Sequence, residues 1–138
     1  MSDLTITATD VAPIEIFEQM TGPAEEALNA GEMVRLATGS GKITPGNATA
    51  AAEARVIGMA IKTADFANDS ITVVKRGIID VGDALDGMDY DDAVYLSNTD
   101  GTLGTAAATV STIVGRVVPV WGSSTADKAL FLDLPANL

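Results

Sequence analysis

Six aspartates crowd into thirteen residues: Asp80, Asp83, Asp86, Asp89, Asp91 and Asp92. Hard cations such as calcium are held by several oxygen ligands of this kind. An EF-hand loop places its acids at alternate positions and closes on a glutamate, and this spacing does neither. Aspartate also favours turns by bonding to its own backbone. The cluster therefore reads as turn chemistry, with a calcium site as the sharper alternative. Paired carboxylates can also cleave glycosides. A sugar cleft would want aromatic platforms, and the chain has one Trp, two Tyr and three Phe. Thr38-Gly39-Ser40-Gly41-Lys42 has some look of a phosphate loop. The full motif needs four residues between its glycines and Lys-Ser/Thr at a helix start. Here Ile43-Thr44-Pro45 follows the lysine, so the segment reads as a hairpin. His and Cys are both absent. Classical zinc sites, Cys nucleophiles and Ser-His pairs are excluded by residue type. The expectation is no enzyme, no catalytic residue, no metal and no cofactor.

Two features point to contacts rather than chemistry. Leu4-Thr5-Ile6-Thr7-Ala8-Thr9 alternates apolar and β-branched polar residues. As a strand it would place Leu4, Ile6 and Ala8 on one face and the threonines on the other. Such a strand can add to a partner's sheet edge or pair with its own barrel. Near the other end, Val117-Val118-Pro119-Val120-Trp121 forms an apolar strand end carrying the only Trp. Trp anchors interfaces and also fills cores, so both readings stand. Pro119 would blunt open-ended strand pairing there and favour a closed assembly.

The elements that position these residues are short. Apolar runs over 33–37, 42–44, 55–61, 71–75, 77–81, 93–97, 113–118 and 129–134 are separated by Gly, Asp, Asn and Ser turns. That pattern predicts an all-β domain, a small barrel or sandwich. Residues 1–20 read as an extended arm, with Pro13 ending its pairing, and 21–138 as the barrel. Pro23, Glu25, Glu26 and Gly31 bracket a two-turn helix over 23–30. A second short helix is expected over the Ala-rich 48–54.

Composition sets the remaining bounds. The 138 residues suffice for one core without disulfide or metal. Aromatics make up 4% of the chain, so that core must be aliphatic, and a neighbouring subunit is expected to cover what it leaves exposed. A net charge of −11 repels phosphate backbones and anionic lipid, so neither nucleic acid nor membrane is an expected partner. No apolar run approaches the length of a membrane helix. Met1-Ser2-Asp3-Leu4 has no cationic leader, so synthesis in the cytosol is the expectation.

The order of the strand motifs carries a resemblance. Leu4–Pro13 is followed by A-G-E-M-V-R-L-A at 30–37, G-K-I at 41–43, A-R-V-I-G-M-A at 54–60, I-T-V at 71–73 and A-V-Y-L-S at 93–97. This series resembles the capsid decoration (cement) proteins of tailed bacteriophages, of small β-barrel type. The resemblance implies a non-enzymatic virion protein on the outer capsid surface, often a homotrimer. Such proteins bind the major capsid protein and clamp neighbouring capsomers of the expanded shell. It implies that Leu4, Thr5, Ile6, Thr7 and Ala8 form the capsid-contact arm. Pro119, Val120 and Trp121 are then the expected subunit interface. Two departures stand out. Residues 14–29 are longer and more acidic than a simple arm. The end, V-V-P-V-W-G and L-F-L-D-L-P, is closer to a tail-fibre or receptor-binding β-domain, which is the alternative reading. Deleting residues 1–13 is expected to leave the melting temperature almost unchanged.

Overall fold

A computed structural model describes residues 3–120 and 128–134. The chain is all-β: among the described residues, nine strands form one antiparallel sheet that curls around an aliphatic core. The strands are β1 (Val11–Pro23), β2 (Met33–Leu36), β3 (Ile43–Pro45), β4 (Val56–Ala60), β5 (Ser70–Val81), β6 (Ala93–Leu96), β7 (Leu103–Gly104), β8 (Ile113–Pro119) and β9 (Lys128–Asp133). Their order is β3-β2-β4-β5-β9-β8-β6-β7, with β1 beside β5.

Strand β5 is the spine. Its first half pairs with β4 through Val73 and Val74, and its second half pairs with β9 from Arg76 to Ile79. Strand β1 pairs along the whole length, from Val11↔Val81 to Pro23↔Ser70. A strand has two edges, so β4 and β9 share one of them and β1 holds the other. The two stretches expected over 71–75 and 77–81 are thus a single strand.

The sheet bends until its ends meet. Met33 N–H donates to Gly101 O at 2.9 Å, Gly101 N–H to Gly46 O at 2.7 Å, and Ala48 N–H to Ser97 O at 2.8 Å. Loop backbone, not a strand ladder, closes the curl. Inside lie Met33, Val56, Met59, Val74, Ile79, Val94, Leu103, Val117, Leu130 and Leu132, drawn from seven strands and all but sealed from solvent. The buried core contains no aromatic residue among the described residues. A second apolar cluster covers the outer side of one half, where Ala24, Leu28 and Ala64 pack on Val34, Ile43, Ile71 and Val73.

Three expectations need correcting. Among the described residues there is no α-helix; the only helical element is a 3₁₀ turn at Ala8–Asp10. Over 23–30, Pro23 ends β1, and the next donors go to neighbouring segments: Ala24 N–H to Asp69 O, Glu25 N–H to Ile43 O and Leu28 N–H to Ala64 O. A two-turn helix is marginal alone, and these long-range partners outcompete it. Over 48–54 only one turn forms, with Ala54 N–H donating to Ala50 O. Nor does Pro13 end the pairing of the N-terminal segment. It stands opposite Ile79, and the ladder runs on past residue 20 to Pro23, across the expected arm–barrel boundary. Pro is tolerated because β1 is an edge strand.

Candidate interaction surface

The acidic cluster runs from Asp80, near the end of β5, through the turns that lead to β6. Asp80 accepts from Gly82 N–H, Asp92 from Asp89 N–H, and Asp91 pairs with Arg116 at 2.9 Å. The ammonium of Lys128 donates to the carbonyls of Met88 and Asp86 and lies 5.4 Å from the centre of the Tyr90 ring. A lysine thus sits where the turn carbonyls converge. Among the described residues no three carboxylates gather as a metal site would require. The 38–42 segment is the β2–β3 hairpin turn, with Ala37 N–H donating to Lys42 O and Gly41 N–H to Ala37 O.

The apolar surface is more concentrated. The pairs Glu15↔Ile78, Ile78↔Phe131 and Arg116↔Phe131 put these side chains in one row across the outer face of β1, β5, β9 and β8. Phe17 joins this face, its ring centre 6.2 Å from that of Phe131. Beside it, Ile113, Gly115, Val118 and Phe131 line an open depression of about 490 Å³. A smaller one brings Ile14, Ile78, Pro119 and Val120 together. Phe17 and Ile113 are each 51% exposed, and Ile14, Ile16 and Met20 are exposed as well. Salt links cross the apolar area: Arg76 bonds Asp133 at 3.1 Å and Glu18 at 3.5 Å, tying β9, β5 and β1. Those two carboxylates, Asp133 first, raise the arginine above its ordinary range.

Pro119 and Val120 therefore lie on this apolar face; Trp121 lies outside the described residues. Sequence reasoning missed Phe17, Ile78, Ile113 and Phe131, because only the strand register brings them together. The edge of β1 is itself blunted. Ile14 and Phe17 are extra residues at bulges, and Pro13 has no donor. Bulges and proline discourage indefinite edge-to-edge pairing, so contact through this strand falls to its side chains.

The segment expected to contact a capsid has a different setting. Leu4, Ile6 and Ala8 are half-buried and Thr5 and Thr7 exposed, the alternation expected. Leu4 and Ile6, however, pack on the chain's own core cluster. Ile6 leans on Gly31, where a Cβ would stand 2.7 Å from its methyl and φ is +94°, so only glycine suits that position. Truncation before β1 should consequently lower the melting temperature, contrary to the expectation for a free arm. Withdrawing two half-buried aliphatic side chains costs about 2 kcal/mol. A thermal melt of the protein lacking residues 1–10 reads this directly.

Glu32 borders the same region. Burial raises its pKa above the ordinary 4.5; the Asn29 N–H, donating at 2.9 Å, opposes the rise, and nearby Glu26 and Asp100 add to it. Folding thus favours the protonated form. The penalty on the charged form is complete above the folded pKa and disappears below 4.5, the ordinary value. Glu32→Gln should therefore raise the melting temperature at pH 7, and the gap from wild type should close near pH 4.

A scan against known protein families finds no match for this chain, and a search of curated proteins finds none either.

Proposed function

We propose that this protein is a structural, non-enzymatic subunit that decorates the outside of a tailed-bacteriophage head. The observation that carries the reading is the outer apolar face. All five aromatics among the described residues, Phe17, Phe66, Tyr90, Tyr95 and Phe131, are kept out of the aliphatic core. Two of them, Phe17 and Phe131, meet with tilted rings on one sheet face beside Ile113 and Val118. Aromatics are enriched where protein surfaces meet. The order of strand motifs supplies the phage connection.

On this reading the subunit is made in the host cytoplasm and joins the virion after the shell expands. It closes with two further copies through the face that includes Pro119 and Val120. Leu4–Ala8 reaches the major capsid protein. Clamping is multivalent: once one subunit of a trimer is seated, the others bind as if tethered. The acidic surface keeps a coat of many copies soluble.

The test uses expanded shells stripped of their coat. Purified protein should co-sediment with them to a saturating ratio and raise the temperature at which they rupture. Absence of binding to shells, with binding to tails or to host-surface glycans, would favour the tail-fibre alternative instead.

A further inference from the structure

Resting on the decoration reading, we propose that residues Asp3–Thr7 are a releasable strap, latched in the free subunit by one carboxylate and freed when the subunit engages a shell. The latch is local. Asp3 accepts from Ser97 Oγ at 2.5 Å through one oxygen and from Thr99 Oγ1 at 2.9 Å through the other. Asp3 stands opposite Gly104, and Leu4 N–H donates to Leu103 O at 2.8 Å, so the strap extends the sheet beyond its last strand, β7. Leu4 and Ile6 line a groove between the turns at Asn29–Glu32 and Asp100–Leu103.

The strap also ends at a hinge. The 3₁₀ turn Ala8–Asp10 buries no residue and is closed by Asp10 N–H donating to Thr7 O. Beyond it, β1 is fixed to β5 by a ladder along its whole length. The strap can leave without breaking a bond of that ladder, which starts at Val11; what its release uncovers is the apolar contact of Leu4 and Ile6 with the core and with Gly31.

Release follows from a conflict of faces. Leu4 and Ile6 are the strap's apolar side, and the subunit's own groove occupies them. The same side cannot also lie on a shell. Binding through the strap must first populate the released form, and apparent affinity falls by the fraction of subunits already released. Weakening the latch should therefore strengthen binding, the opposite of what loss of a contact residue does.

Asp3→Ala removes both acceptors and no buried apolar group; the buried Ser97 hydroxyl keeps its bond from the Thr99 N–H. Hydrogen bonds to a carboxylate of this kind support a change of about tenfold. In the free variant, the Leu4 amide should exchange with solvent about tenfold faster, while the amides of β5 keep their protection. The protein concentration needed to half-saturate stripped shells should fall by a similar factor. Thr99→Val, which removes one of the two donors, should lie between the variant and wild type. Wild-type binding that Asp3→Ala leaves unchanged or weakens overturns the strap alone. A Leu4 amide already unprotected in wild type overturns it too. Binding by neither protein removes the decoration reading, and the strap with it.

Discussion

Gly115→Ala is expected to deprive the protein of its fold. A Cβ at this position would stand 2.0 Å from the carbonyl oxygen of Phe131, 2.9 Å from its carbon and 3.2 Å from Leu132 Cα. All three are backbone atoms, so no rotamer change makes room. Gly115 faces Leu132 in the β8–β9 ladder and Val94 in the β6–β8 ladder. Separating β8 from β9 would open the core at Val117, Leu130 and Leu132, each fully buried. Overpacking that must move backbone costs about 3 kcal/mol or more. Set against a total stability of about 5–15 kcal/mol, that is a large share. The urea midpoint should fall steeply or the protein should fail to accumulate. Gly87→Ala is the control, since nothing lies within 4 Å of the added carbon. Matching midpoints for the two variants would show that the close approach of β8 and β9 is not a real constraint.

The second large effect concerns assembly. If subunits close on one another through the outer apolar face, as proposed above, Phe17→Ser should abolish that self-association while the monomer stays folded. Half of Phe17 is exposed, and its main partner is the Phe131 ring, a contact worth about 1 kcal/mol. At an interface the same ring would be desolvated, and anchors of this kind carry 2 kcal/mol or more, about thirtyfold in affinity per contact. Sedimentation velocity on shells' worth of free protein, together with a melt, separates the two effects. Phe66→Ser should leave assembly intact, because Phe66, although 74% exposed, sits in the turn between β4 and β5. Equal loss from both variants would mean that general surface hydrophobicity, not this face, drives association.

The strands with one buried face were legible in the sequence. Ser70–Val81 and Lys128–Asp133 bury alternate residues for much of their length, and that alternation is what the residue pattern records. Strand β1 was not. Its bulges at Ile14 and Phe17 break the two-residue period, and nearly all its side chains are exposed, so burial leaves no imprint on its residue types. Residues 23–30 misled for another reason. Ala24 and Leu28 are spaced like one face of a helix, yet each pairs with a different segment, Ile43 and Ala64. The outer apolar face was half legible: Pro119 and Val120 stand out as an apolar strand end, whereas Phe17 and Phe131, 114 positions apart, meet only through register.

The seating of β1 along β5 also decides how the protein responds to pull. Antiparallel ladder bonds run across the strands. A force drawn along β1 from its N-terminal end therefore meets every bond from Val11 to Pro23 side by side, as a lap joint meets shear. The same force directed away from the sheet would meet them one at a time, as tape is peeled. A tether emerging at Val11 in line with the strand is the stronger of these two geometries. On the strap proposal, the segment that precedes it, held by the Asp3 carboxylate and the Leu4 N–H, would give way first and bring the tether into line before the joint is loaded.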